Sequence, residues 1–359
     1  MTNLVVNARF LTQPMTGVQR CAIEISRRLR SLERPVRFLA PHNIIHRELA
    51  EELGAEVVGR RKGHAWEQLD LSRAAGDDLL LNFCNNGPWF RRNQMVTIHD
   101  AAPAAIPDTF SWQFRALFGF ATRQIGRMAH CILTDSHYSA DQLAARFGIP
   151  RDKLEVVPLG HEHVFAHDSD HDVIAKNRLS DRPFVLTVGS QSPHKNFAAI
   201  ADAMQIIGDA DFDLVIVGGA TPQVHRASEV ETPNSGKHIG YVTDAELRAL
   251  YEQAAVYVHP SKYEGFGFPP LEAMALGCPV ISSNAASLPE VGGDAVRYFD
   301  PNDPRELANH IISVVNDKGV QEDMRVKGLE QASRFRWNAC VERILELADQ
   351  HGRNQFKSK

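Results

Sequence analysis

Cysteine is scarce and scattered in this 359-residue chain: Cys21, Cys84, Cys131, Cys278 and Cys340 form no Cys-x-x-Cys pair. An odd, dispersed set excludes a disulfide framework and a zinc knuckle, and points to a reducing compartment. Also missing are a basic leader with an apolar core in residues 1–10 and any run of about 18 apolar residues. The expectation is a cytoplasmic chain that neither leaves by the usual export route nor spans a membrane. Excess basic charge is lacking as well. With 39 Lys and Arg against 44 Asp and Glu, the net charge of −5 argues against a nucleic-acid binder. Short-period repeats and low-complexity tracts are absent.

Metal-binding patterns are thin. Asp168 with Asp170, and Asp209 with Asp211, satisfy Asp-x-Asp, but in polar connecting stretches where chance accounts for them. His161 and His163 flank Glu162 in an irregular stretch that offers no third ligand, so no metal site is expected.

What is present is alternation. Apolar runs at 4–8, 36–40, 79–83, 95–99, 131–134 and 154–157 are separated mostly by helix-like segments, among them 17–32, 112–129 and 139–147. Such alternation describes a parallel sheet wrapped by helices. The pattern restarts with runs at 184–188, 214–217, 256–259, 280–282 and 296–299, and the polar stretch 160–171 reads as a linker. A chain of 359 residues fits a prior of about two domains. The expected α/β organisation is a first domain over 1–165, a second over 175–335 and a terminal segment over 336–359. Two doubly wound sheets facing a cleft would bind ligands beyond the carboxyl ends of their strands.

The densest chemistry lies between Ser261 and Gly277. Glu264 precedes a Gly-Phe-Gly loop, Pro269 and Pro270 suit a first helical turn, and Gly277 suits the position just past the helix end. Glu272 then falls in the first turns of a short helix. The loop and helix start favour an anion through backbone N–H groups and the helix dipole. Carboxylates beside an anion need partners of their own, and polyol hydroxyls supply them, because an ionised carboxylate accepts hydrogen bonds from a diol. A diphosphate flanked by two polyols, a sugar nucleotide, satisfies both acids. A capped surface helix with Glu264 solvated is the bland alternative; it leaves the crowded glycines and prolines without a purpose.

Glu264 through Glu272 resembles the E-x7-E element of the retaining GT-B glycosyltransferases of family 4, or glycosyl transferases group 1. The resemblance continues through 273–284, 287–290 and 293–295, and loosens before residue 90. It implies the GT-B pair of Rossmann-like domains, with the last helix, near 337–351, crossing back to the first domain. It implies no cofactor and no metal. Glu264 would hold hydroxyls of the donor sugar, Glu272 those of the ribose, and the N–H groups around Gly265, Phe266 and Gly267, with Leu271 behind them, would orient the sugar. Lys195, in the segment Gly189-Ser190-Gln-Ser-Pro-His194-Lys195, would neutralise the diphosphate. Many relatives carry arginines where this chain has Ser190 and His194, so the cationic clamp is thinner here.

Gly17 keeps one of the two glycines relatives often show in a phosphate-approaching turn; a plain helix-start glycine is the alternative. His99, of a His-Asp pair, would contact the donor sugar; alternatively it is a core histidine with Asp100 capping the next segment. Ser139 is read as an N-cap. The stretch around Tyr241 would cradle the nucleobase with its backbone. Glu264, His99 and Lys195 are the expected catalytic set.

The implied activity moves a hexose from a nucleoside diphosphate sugar to a glycan or polyprenol-linked acceptor in polysaccharide or lipopolysaccharide synthesis. Residues 261–270 and 16–20 resemble bacterial mannosyl- and rhamnosyltransferases, which makes a GDP-linked sugar the first expectation and a UDP-sugar the alternative. A GT-B sugar-nucleotide epimerase and a two-lobed sugar-binding protein are rivals from other classes. Basic clusters at Arg20, Arg27, Arg28 and Arg30, at 60–62, and at Arg91 and Arg92 leave open a peripheral contact with an anionic membrane at the inner face of the cytoplasmic membrane. The aromatics of 112–120 are expected in the core more than in such a patch.

Overall fold

The computed structural model describes residues 3–190, 192–219 and 236–357, with side chains described up to residue 351. Gln191 of the Lys195 loop and the outermost residues of the 1–165 and 336–359 ranges lie outside the described residues. The chain divides into two compact units, one of Met1–Ala105, Gln113–Gly160 and Arg336–Lys359, the other of Ile106–Trp112 and His161–Phe335.

In the first unit, β1 (Leu4–Asn7), β2 (Val36–Ala40), β3 (Glu56–Val57), β4 (Leu79–Asn82), β5 (Gln94–Thr97), β6 (Cys131–Thr134) and β7 (Leu154–Val156) form a seven-stranded sheet in the order β3-β2-β1-β4-β5-β6-β7. All its pairings are parallel. Strands β1, β4, β5 and β6 are buried along their whole length, as expected where helices cover both sheet faces. The order reverses between β1 and β4, the switch point of this sheet.

Helix α1 (Gly17–Arg30) buries Cys21, Ala22, Ile25 and Leu29, and its last turn carries Arg27, Arg28 and Arg30 at the negative end of the dipole. Helix α2 (Trp112–Met128) buries Ala121 and Ile125, the latter in a cluster with Val96, Ile132 and Leu143. From its first half only Phe118 packs against that cluster. Trp112, Phe114, Leu117 and Phe120 are exposed, which corrects the expectation that this aromatic stretch packs inside.

Helix α3 (His137–Phe147) is capped by Ser136, whose hydroxyl accepts from the Ser139 amide at 3.0 Å; Ser139 lies inside the first turn and is not the cap. The basic clusters are largely spent within this unit. Arg27 pairs with Glu52, Arg28 with Glu24 and Arg61 with Asp70, while Arg91 donates to the carbonyls of Asn93, Ser72 and Asp78.

In the second unit, β8 (Phe184–Val188), β9 (Asp213–Val217), β10 (Gly236–Gly240), β11 (Val256–His259), β12 (Val280–Ser283) and β13 (Arg297–Phe299) run parallel in the order β10-β9-β8-β11-β12-β13. Helices α4 (Phe197–Ile207), α5 (Asp244–Gln253), α6 (Phe268–Ala275), α7 (Pro304–Val315) and α8 (Lys318–Ala332) complete it. Ile200, Val256, Val258, Ile281, Leu307 and Ile311 lie together in its core. The chain then returns to the first unit as α9 (Trp337–Lys357), which packs on α1 with Arg28 5.9 Å over the Trp337 ring.

Two strands escaped the sequence pattern. β3 is two exposed residues, and β10 reads Gly-Lys-His-Ile-Gly with no fully buried position, of which only the end near Ile239 was legible. The 160–171 stretch is more ordered than a linker. A turn over Glu162–Phe165 buries His163, and His161 Nδ1 lies 2.7 Å from the Phe335 carbonyl.

Candidate functional site

Strand order in the second unit reverses between β8 and β11, so the loops leaving these two strands diverge and open a crevice at their carboxyl ends. The β8 exit passes through Gly189, whose carbonyl oxygen would stand 2.2 Å from a Cβ on Gly218; with φ at +111°, Gly218 admits no side chain. A turn over Pro193–Lys195 follows, and Asn196 ends it in the left-handed region at φ +56°. Two side-chain bonds hold Asn196 there, to the carbonyls of Pro260 at 3.1 Å and Pro301 at 2.9 Å. The Lys262 amide donates to the His194 carbonyl at 2.8 Å. The loop bearing Lys195 is thus tied to the loop leaving β11.

The tie brings Lys195 to Glu264. Lys195 Nζ donates to Glu264 Oε1 at 2.7 Å, and His259 Nε2, at the end of β11, reaches the same oxygen at 3.0 Å. Behind His259, the Tyr257 hydroxyl lies 2.8 Å from Nδ1. Burial acts to raise the Glu264 pKa, but Lys195 and His259 outweigh it and hold the carboxyl well below the usual carboxylate range. For His259, burial dominates and lowers its pKa despite Glu264, so the imidazole is neutral. Among the described residues Glu264 Oε2 makes no hydrogen bond, and it retains both lone pairs for a ligand hydroxyl.

The Gly-Phe-Gly loop is pinned by Ser287, whose hydroxyl lies 2.9 Å from the Glu264 carbonyl and 3.0 Å from that of Phe266. Gly267 takes φ +117° at the start of α6, with Pro269 and Pro270 in the first turn. Eight residues after Glu264, Glu272 projects from α6 to His163, its Oε1 2.8 Å from Nε2. The His163 ring meets Phe268 edge-on at 5.7 Å. Each acid of the pair is therefore braced by a histidine through one oxygen.

The family Glycosyltransferase Family 4 matches residues 15–163, and Glycosyl transferases group 1 matches 169–331. The chain belongs to glycosyltransferase family 4.

This family 4 chain is 33% identical to the O-antigen chain mannosyltransferase B of Escherichia coli over 60% of its own length and 60% of the relative's. It is 29% identical to the O-antigen chain mannosyltransferase RfbU of Salmonella typhimurium, over 62% of this chain and 61% of that one. The match thus spans about three fifths of these relatives. Among solved structures, the Anabaena protein HepE in complex with UDP-glucose superposes with a TM-score of 0.75 at 17% identity, covering 98% of this chain and all of that one. WaaG, a glycosyltransferase involved in lipopolysaccharide biosynthesis, gives 0.71 at 15% identity over 96% and 98%. The fold is GT-B.

The remaining residues of the family 4 reading fall as follows. Ser190 Oγ lies 3.1 Å from Ser192 Oγ, and His194 is the least of the influences that lower the Glu264 pKa. Leu271 is fully buried, which leaves only its backbone to the crevice, and the exposed Tyr241 ring lies over Gly219. In the first unit, Gly17 opens α1 after an extended Thr16.

His99, buried there, has Nδ1 2.7 Å from Asp135 Oδ2 and Nε2 3.0 Å from the Phe83 carbonyl. Burial opposes its charge, but Asp135 prevails and raises its pKa. To touch a ligand, His99 must give up one of these bonds. Asp100 Oδ1 accepts from the Ala102 amide at 2.7 Å, the capping role considered for it.

His259, Tyr257 and a functional His163 are what sequence reasoning missed. Histidine within an apolar strand carries no signal, and a His-Glu-His triplet reads as a poor metal motif. The spacing of His259 five residues before Glu264, in one strand-loop unit, is the clue that was available.

Proposed function

We propose that this chain is a retaining hexosyltransferase that takes a hexose from a nucleoside diphosphate sugar and passes it to a glycan acceptor, free or polyprenol-linked, in bacterial surface polysaccharide synthesis. The observation that carries the reading is the Lys195–Glu264–His259 cluster at the switch point, with Glu272 eight residues on. Lys195 stands where it neutralises a departing diphosphate while bound to the acid that takes a sugar hydroxyl. Glu272 takes ribose hydroxyls through the oxygen His163 leaves open. With Glu264 ionised and tied to two cations or donors, it serves as a hydroxyl holder and not as a nucleophile. Catalysis in this reading is electrostatic, from Lys195 and the N-terminus of α6, with the donor phosphate taking the acceptor proton. His99 is proposed as the third catalytic group, reaching the sugar by releasing the Phe83 carbonyl.

A GDP-linked mannose is the first donor proposed, supported by the two O-antigen mannosyltransferase relatives. A UDP-sugar is the second, supported by the UDP-glucose complex of HepE. A thermal-shift panel of GDP, UDP, ADP and TDP sugars decides between them, since a ligand at about 100 times its Kd adds roughly 2.7 kcal/mol to stability. One base should give a large shift, and a flat panel overturns the donor reading. Conversion of donor to an epimer without acceptor would replace the transferase with an epimerase.

A peripheral membrane contact completes the proposal, at the inner face of the cytoplasmic membrane. It is supported by the exposed Trp112, Phe114, Leu117 and Phe120 of α2, a 17-residue helix with three arginines and no acid. Phe90 is exposed next to Trp89, whose ring meets Phe120 at 5.4 Å. No described helix is long and apolar enough to cross a membrane.

A further inference from the structure

We propose that Tyr257 and His259 form a positioning relay that fixes which oxygen of Glu264 faces the ligand. The inference rests on the donor reading only for the identity of that ligand. The Tyr257 hydroxyl and the Glu264 carboxylate engage the two ring nitrogens of His259 at 2.8 Å and 3.0 Å. A carboxylate only accepts, so Nε2 carries the proton and Nδ1 must accept from the Tyr257 hydroxyl. Burial pushes the Tyr257 hydroxyl well above its ordinary pKa, which keeps it a donor at any working pH. His259 is 1% exposed, and its strand is held on both sides, Tyr257 pairing with Leu186 of β8 and Val280 of β12. The imidazole has one tautomer and one orientation.

The consequence falls on Glu264. Its Oε1 accepts from both His259 and Lys195, and a rotation of the carboxylate would forfeit two charge-assisted bonds. Oε2 is thereby locked toward the crevice before any ligand arrives, so the sugar hydroxyl meets an acceptor whose ordering is already done. Other titratable groups around the relay are His194 beside Lys195, Tyr251 edge-on to the Tyr257 ring at 5.4 Å, and Glu272 and Cys278, which act on Tyr257. None of them stands between His259 and Glu264, which bond directly.

Histidine-selective nitrogen-15 NMR on the full chain tests the relay without any ligand. The His259 signal, assigned by its loss in His259→Gln, should report a neutral ring protonated at Nε2 at neutral pH. In Tyr257→Phe the Nδ1 signal should shift as its hydrogen bond is lost, while Nε2 stays protonated toward Glu264, and an unmoved Nδ1 signal would remove Tyr257 from the relay. An Nδ1-protonated ring, or an imidazolium at neutral pH, overturns the proposal. In parallel, GDP-mannose, UDP-glucose and the bare GDP and UDP are titrated by calorimetry. His259→Phe should lose about tenfold in affinity for whichever nucleotide sugar the wild type binds, with the bare nucleotide unchanged, and His259→Gln should recover most of it.

The acid limb of sugar-nucleotide binding should also move to higher pH in His259→Phe, because the carboxylate has lost a donor that held its pKa down. Equal affinity and an unmoved limb in His259→Phe overturn the relay. If the wild type binds no nucleotide sugar, the donor reading falls, and the tautomer measurement alone decides the relay.

Discussion

At the residue scale, the pair Glu264 and Glu272 was legible because glycine and proline spacing around two acids has few uses, and the structure adds what spacing cannot carry: each acid's partner. His259 arrives from five residues upstream but His163 arrives from 109 residues away, a distance that no local pattern encodes. His99 shows the same limit, since its partner Asp135 is 36 residues on. That dyad gives a signed prediction. The folded pKa of His99 is raised, so its contribution to stability is complete below the ordinary histidine value of about 6.5 and is lost as pH rises through the folded value. Urea midpoints at about pH 6 and about pH 8.5 should fall with pH in the wild type and fall less in Asp135→Asn, where burial opposes the imidazolium with only the Phe83 carbonyl and Asp100 to favour it. Parallel falls in both proteins would mean that Asp135 does not hold the charge.

At the scale of elements, most of the strands that the sequence revealed are buried along their length, where a parallel strand covered on both faces must be apolar throughout. β3 and β10 lie at the ends of their sheets, where one partner suffices and polar residues cost little, and no apolar run marks them; β7 and β13 lie at the opposite ends but keep Leu154 and Phe299 buried, which left them legible. Loops follow a different logic. The turn over Pro193–Lys195 positions Lys195 only because Asn196 accepts a left-handed backbone and spends its amide on two carbonyls.

Asn196→Ala should lose both bonds and add backbone strain, about 1–3 kcal/mol in all. Asn196→Gly loses the bonds without the strain and should be the milder of the two. Melting temperatures measure the first effect, and both variants should also lose the donor-induced thermal shift, because Lys195 is no longer held against Glu264. A full donor shift in Asn196→Ala would show that the turn keeps its place without the side chain.

For the whole molecule, a single restart of the strand-helix alternation was enough to give the two-sheet architecture, because binary patterning needs only residue type and order. The surface was harder to read, since apolar residues at helical spacing look the same whether they face a core or solvent. The net charge of −5 makes a general attraction to an anionic bilayer unfavourable, so membrane contact requires a local surface of opposite character. On α1, Arg27 and Arg28 are paired with Glu52 and Glu24, which removes these two from that role. Helix α2 instead offers Trp112 at 70% and Phe120 at 50% exposure, with Arg115, Arg123 and Arg127 and no acid among its residues.

An amphipathic surface of this kind binds through apolar insertion and basic charge together. Sedimentation with vesicles rich in phosphatidylglycerol should therefore retain the wild type, and the double variant Trp112→Ala with Phe120→Ala should bind several-fold more weakly. Each basic residue near the surface contributes about 1 kcal/mol, so Arg115→Glu should weaken binding further and lower its salt sensitivity. Both side chains are exposed, so melting temperature should hardly move, which separates lost insertion from lost folding. Equal retention of wild type and double variant, or retention on neutral vesicles as strong as on anionic ones, would remove α2 as the membrane-facing element.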